Sequence, residues 1–345
     1  MRPFKTLALQ MLMLPGAASL FAPFARGCGV IFMLHRFRAP GFAREGHNPT
    51  GLRRALAHLR RRRYRILSLE QMLQLAARDG RVPSGAIAFT IDDGYGDHAE
   101  IAGPIFAEYD CPVTTFVTTG FLDGHLWFWW DRIEHVFHTT RRRDLRVVLG
   151  DQVLEYEWAS DAERANAMAN FTVRCKDVPN DVKLAGIEQL AEAADVVLPE
   201  KPPACYAPMS WSQLRACETR GMSFGPHTVT HPVLSRVSDE QSRWELTESW
   251  RRLCQEARRP TPVFCYPNGQ PTDFSEREIT TLRQLGFLGA VVGSAGFVSS
   301  GSVRREARAP FAVRRLPFPD DDLPRLVQYV AGAERMKTLL RGDVA

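Results

Sequence analysis

The chain has 345 residues, 45% hydrophobic and 24% charged, with a net charge of +5. That composition excludes a fibrous or disordered chain and suffices for one large α/β domain or two smaller ones. The small positive charge, without a stripe of interleaved basic and aromatic residues, gives no sign of a nucleic-acid partner.

Residues 1–28 read as a leader. Met1-Arg2-Pro3-Phe4-Lys5 precedes an apolar run from Leu7 to Leu14 that Gln10 interrupts, and Gly16-Ala17-Ala18 has the small residues of a cleavage site. The run is shorter than the ~20 apolar residues that a membrane span needs. We expect an uncleaved amphipathic leader on a cytoplasmic protein, resting on a membrane surface; secretion is the alternative. The basic run Arg60-Arg61-Arg62-Arg63 suits the C-terminal end of a helix, where cations meet the negative end of the dipole, or an anionic contact. Seven cysteines without a Cys-x-x-Cys pair point to reduced thiols rather than a disulfide framework.

From residue 29 strands and helices alternate. Gly29 to Leu34 is a continuous apolar run ending at His35. A helix fits from Thr50 to about Arg62, then a short strand from Arg65 to Leu67, and Ser68 with Gln71 caps the next helix. Ala86 to Ile91 is a buried strand, His98 to Tyr109 a helix, and Pro112 to Thr118 a β-branched strand. Between about 121 and 208 the rhythm breaks into an aromatic cluster, charged segments and two polar helical patterns, which we read as an insertion. Alternation then resumes. A helix spans Ser210 to Arg220 and a strand Met222 to Gly225, and Ser238 with Gln241 forms a capping box for a helix running to about Ala257. Strands follow at Pro262 to Tyr266, Phe287 to Val292 and Phe311 to Leu316, with a last helix from Leu323 to Leu340. Repeated βα units in this number predict a distorted (β/α) barrel of about seven strands, with an insertion after the strand near 112–118. An open doubly wound sheet is the alternative, but no G-x-G-x-x-G follows its first strand. Residues 29–345 then form one domain carrying the insertion.

Two strand ends carry chemistry. Asp92-Asp93-Gly94 ends the strand 86–91 with adjacent carboxylates, which remain ionised together only beside a positive charge, and a divalent metal supplies it best. His227 and His231 follow another strand, four residues apart. One carboxylate and two imidazoles make three ligands and leave a metal one open position. Pro232 biases His231 away from helical geometry, so both histidines belong on a loop.

Thr90-Ile91-Asp92-Asp93-Gly94 together with His227-Thr228-Val229-Thr230-His231 resembles the NodB-homology polysaccharide deacetylases, the family-4 carbohydrate esterases. The resemblance implies a metal-dependent N-deacetylase, with Asp92 as catalytic base, Asp93, His227 and His231 as metal ligands, and zinc as the metal. A third motif is loosely matched by Phe264-Cys265-Tyr266-Pro267-Asn268-Gly269, which implies a backbone oxyanion donor at Asn268 and a substrate contact at Tyr266 and Pro267. Cys265 stands where the family has an arginine that orients the base; Arg314 or Arg315, at the last strand, is the candidate replacement, and a structural salt bridge there is the alternative. The family's C-terminal Leu-x-His is missing. Phe32-Met33-Leu34-His35 offers a general acid, His35, from the first strand, a shift similar to that in the permuted poly-N-acetylglucosamine deacetylases.

Trp127-Phe128-Trp129-Trp130 provides aromatic faces, Trp129 and Trp130 being candidate sugar platforms, with packing in a core as the alternative. The resemblance implies N-acetylhexosamine units of a polysaccharide or a lipid-linked precursor as the glycan substrate. A small non-sugar amide, or a non-catalytic carbohydrate-binding role, remains the alternative. Nothing points to a protein partner.

Overall fold

The computed structural model describes residues 10–14, 16–43, 45–79, 82–299 and 309–340, so the first nine residues of the expected leader lie outside the described residues. Ten strands form among these: β1 Cys28–Leu34, β2 Ala86–Ile91, β3 Val113–Val117, β4 Asp144–Leu149, β5 Gln152–Glu157, β6 Met222–Pro226, β7 Val263–Cys265, β8 Gly289–Ala295, β9 Val298–Ser299 and β10 Val313–Pro317. Residues up to Leu122 and from Pro208 onward make one unit; Asp123–Ala207 make a second.

In the first unit seven strands run parallel in the order β6-β3-β2-β1-β10-β8-β7, with β9 antiparallel on β1. The two end strands approach each other. Phe224 bridges Pro260, and the Thr261 N–H donates to the Phe224 carbonyl at 2.7 Å, so the barrel is nearly closed. The α/β barrel of about seven strands is therefore the fold, and the open doubly wound sheet is not. The strands explain this. β2 and β3 are buried at every position, as parallel strands covered on both faces must be. Ile31, Ala88, Phe116, Val263, Val291 and Val313 share one apolar cluster with Leu69, Met72 and Leu73 of the helix Leu69–Asp79. First and last barrel strands are neighbours, with Phe32 opposite Leu316.

Local expectations fared unevenly. Ser68 and Gln71 cap each other reciprocally. Ser238 accepts from the Gln241 N–H, but the Gln241 amide donates to Glu245 instead of returning to the cap. The strand expected at Arg65 to Leu67 is a single bridge between Ile66 and Ile87. The last helix divides into Leu323–Val330 and Ala333–Leu340 because Gly332 adopts φ 92°, a left-handed turn that a helix cannot contain. Against these helices packs the described part of the leader, with Leu12 buried beside Val327, Ala331 and Ala333. Among the described residues no helix is long and apolar enough to cross a membrane. All seven cysteines are free thiols.

The second unit holds the antiparallel hairpin β4–β5 and the helices Trp129–Thr139, Asp161–Lys176 and Asn180–Ala193. In β4, Leu145, Val147 and Leu149 point inward while Asp144, Arg146 and Val148 are exposed, the period of two that a half-buried strand requires. Phe137, Phe171, Ile187 and Leu190 complete its core.

Candidate active site

The strand β2 delivers Asp92 and Asp93 into a turn that ordinary residues avoid. Asp93 has φ 90° and Gly94 φ 97°, and a Cβ at Gly94 would stand 2.7 Å from Leu122 Cδ1. Glycine fits that second position because it has no side chain. The strained turn sends the two carboxylates apart: Asp93 toward the histidine loop, Asp92 toward β10.

His227 follows β6 directly, its N–H bonded to the Val117 carbonyl at 2.9 Å. Its Nδ1 lies 2.7 Å from the Cys265 carbonyl oxygen, which only accepts, so Nδ1 carries the proton and Nε2 presents a lone pair. That Nε2 is 3.1 Å from His231 Nε2 and 3.7 Å from Asp93 Oδ1; His231 Nε2 is 3.6 Å from the same oxygen. Burial pushes His227 down to about 4 against the pull of Asp92, so the ring is neutral and able to coordinate near neutral pH. The ligand atoms of Asp93, His227 and His231 all lie within 4.8 Å of one another and all three residues are buried. Two nitrogens and one carboxylate oxygen, converging with lone pairs inward, fit a divalent metal with an open position.

Asp92 has a different partner. Arg315 of β10 donates to it through both terminal nitrogens, Nη1 to Oδ1 and Nη2 to Oδ2, each at 2.7 Å. The guanidinium is 1% exposed and is held by the Val292 carbonyl and the Thr90 hydroxyl, each at 3.0 Å. Arg314, the other candidate, is exposed. Burial alone would raise the Asp92 pKa; Arg315 overrides it and holds the carboxyl well below the usual carboxylate range. Cys265 joins the same cluster, its Sγ 3.3 Å from Arg315 Nη2 and 3.6 Å from Asp92 Oδ2. Burial raises this thiol well above its ordinary value, so it stays protonated and donates to Asp92.

The register of β1 on β2, Leu34 opposite Ile91, carries His35 beside Asp92, with Nε2 3.8 Å from Oδ2. Desolvation lowers the His35 pKa, Asp92 opposes this and Arg315 adds to it. With 48% of the side chain exposed, that desolvation is partial and the ring is open to solvent. Behind it lies a buried group that the sequence reading passed over. His98 Nε2 bonds the His35 carbonyl, and Asp97 bonds Arg36 Nε at 2.7 Å. The Arg36 guanidinium lies 3.7 Å from the Tyr95 ring centroid. Their proximity to Asp92-Asp93-Gly94 in sequence was the available signal.

The remaining candidates divide. Asn268 is exposed three residues past β7 with φ 57°, a conformation asparagine tolerates. Pro267 is buried. Tyr266, expected at the substrate, is 1% exposed and stacks on Phe274 at 4.0 Å within a core that includes Phe264. Trp129 and Trp130 belong to the second unit. Lys183 Nζ lies 4.9 Å from the Trp129 ring centroid, and Trp130 stacks on Phe128 at 4.4 Å, so each has one face occupied within that unit.

Residues 176–290 match the family model for polysaccharide deacetylase. Among solved structures the chain is similar to the Streptococcus pyogenes deacetylase PplD in complex with acetate, at 17% identity and TM-score 0.57, over 88% of this chain and 98% of that one. It is also similar to IcaB from Ammonifex degensii, at 16% identity and TM-score 0.54, over 88% and 97% of the two chains. A polysaccharide deacetylase from Bacillus cereus, BC0361, aligns at 12% identity and TM-score 0.53, over 88% and 69%. At such identities the likeness is one of fold. No curated protein matches the sequence.

Proposed function

We propose that this protein is a metal-dependent N-deacetylase of the polysaccharide deacetylase family, acting on N-acetylhexosamine units of a glycan. The observation that carries the reading is the division of labour between two adjacent carboxylates. Asp93 faces two imidazoles at 3.6 and 3.7 Å, while Asp92 faces a guanidinium and the His35 ring. A simple structural turn has no need of two differently neutralised carboxylates.

Asp93, His227 and His231 would hold the ion, zinc by the nature of the donor set. A bound divalent ion supplies a water of lowered pKa and polarises the amide carbonyl. Asp92 remains ionised beside Arg315 and accepts a proton. His35 donates one to the leaving amine nitrogen, and its solvent exposure leaves room for a bulky sugar. The Asn268 backbone N–H serves as a donor for the oxyanion. The glycan class rests on the family match to residues 176–290. The test is acetate release from acetylated chito-oligosaccharides, alongside metal analysis. Asp92→Asn and His35→Ala should each lower turnover by roughly 10²–10⁴-fold with metal content unchanged. Equal turnover of small amides by the wild-type protein, with no release from the oligosaccharides, would move the substrate out of the sugar class.

A further inference from the structure

The loop that bears the two histidines is unfavourable by itself. Thr228 has φ 66° and His231 φ 57°, and left-handed geometry at a β-branched residue is an outlier that its surroundings must impose. Part of the restraint is local: the Thr228 hydroxyl accepts from the His231 N–H at 3.0 Å and donates to the His227 carbonyl. The rest comes from a helix further along the chain. Glu245, in the helix Asp239–Glu256, is 0% exposed. Its Oε2 accepts the N–H groups of Val229 and Thr230 at 2.7 and 2.9 Å. Its Oε1 accepts the Thr230 hydroxyl and the Gln241 amide, the latter at 3.0 Å.

We propose that Glu245 is a positioning residue for the metal ligands: a buried carboxylate that clamps the loop between His227 and His231 and sets the approach of the two imidazoles. The inference rests on the reading of Asp93, His227 and His231 as a metal site, and not on the choice of substrate. Three of the four donors to Glu245 come from Val229 and Thr230, two of the three residues between the ligands. Each backbone N–H there is turned away from any strand and needs a buried acceptor. A neutral side chain of the same shape still accepts both N–H groups; a truncated one leaves them unsatisfied and frees the loop.

The experiment measures zinc dissociation constants by competition with a chelating dye, beside acetate release and thermal melting of the metal-free protein. Glu245→Ala should weaken zinc binding by about 10–100-fold, the range for loss of a residue supporting metal ligands. Glu245→Gln should restore most of that loss. Zinc binding by Glu245→Ala equal to that of the wild type overturns the proposal, whatever happens to its melting point. Should Glu245→Ala fail to fold, Thr230→Val removes only the hydroxyl bonded to Oε1. Weaker zinc binding in that variant supports the clamp, and unchanged binding overturns it. Wild-type protein that binds zinc through these ligands yet releases no acetate would end the deacetylase reading and leave the clamp standing.

Discussion

The barrel unit and the insertion unit obey different rules. Among the described residues eight non-glycine positions have positive φ; Asp93, Thr228, His231 and Asn268 gather at the strand ends of the barrel. The insertion has one, Asp195, just past a helix end where left-handed geometry is ordinary. Buried polar groups divide likewise. Asp92, Asp93, Asp97, His98, His227, His231, Glu245 and Arg315 are enclosed in the barrel unit, against Asp131, Thr140 and Lys183 in the insertion. Where local preference and tertiary structure agree, a region is built for stability. Where they conflict at one spot, that spot is held in place by the rest of the fold, and functional sites are where such conflict is tolerated.

The largest effect should come from breaking the tertiary restraint at a buried ion pair. Arg315→Met removes the partner of a buried carboxylate, and loss of one member of such a pair costs about 3–5 kcal/mol. The pH dependence fixes the sign. In the wild type the folded Asp92 pKa lies below its unfolded value, so the pair's stabilisation is complete above about pH 4 and is lost as pH falls further, through the folded value. In the variant, burial is opposed only by the smaller pulls of His35 and His227, so the Asp92 pKa rises and protonation relieves the strain. The gap between the two proteins in urea denaturation should therefore be widest near neutral pH and should narrow on acidification. A gap independent of pH would mean that Arg315 acts through packing alone.

A comparable loss should be available in the insertion, by an unrelated route. Phe171 is fully buried among Phe137, Ile187 and Leu190, and Phe171→Ala leaves a cavity worth about 3–5 kcal/mol. Hydrogen exchange should report lost protection in 123–207, no pH-dependent gap of the kind seen for Arg315→Met, and an unaltered zinc dissociation constant. Zinc affinity falling in step with protection would show that the two units do not differ as their cores suggest.

What the sequence made legible follows the same division. The barrel was readable because its strands are continuous apolar runs, and the site's first half because Asp92 and Asp93 are adjacent. The expectation for His35 rests on the missing Leu-x-His of the family the motifs resemble, and that for Arg314 or Arg315 on its place at the last strand; the register that sets Leu34 opposite Ile91 is a property of the fold. Glu245 was not reachable that way: in a helix rich in charges it resembles any solvated glutamate until the loop 228–231 is folded over it. The packing of Tyr266 was hidden for the opposite reason, because an aromatic beside a motif looks exposed until Phe274 is seen stacked upon it. The β4–β5 hairpin is written in the alternation of Leu145, Val147 and Leu149, a short signal inside a stretch whose aromatic cluster and charged segments read as an insertion.

The smallest expected effect sharpens the contrast most cleanly. Ser160 and Glu163 form a reciprocal capping box at the start of the helix Asp161–Lys176, a device written entirely within four residues. Ser160→Ala should cost about 1 kcal/mol, visible as faster exchange in the first turn of that helix. Because the box satisfies only its own helix, zinc affinity and acetate release should stay at wild-type values. Glu245 sits equally far from the chemistry in kind, a carboxylate accepting backbone N–H groups near a turn, yet its loss should appear in metal affinity. The difference between the two lies in what is capped: a helix that would form in any case, or a strained loop that holds its ligands in place only while something else holds it.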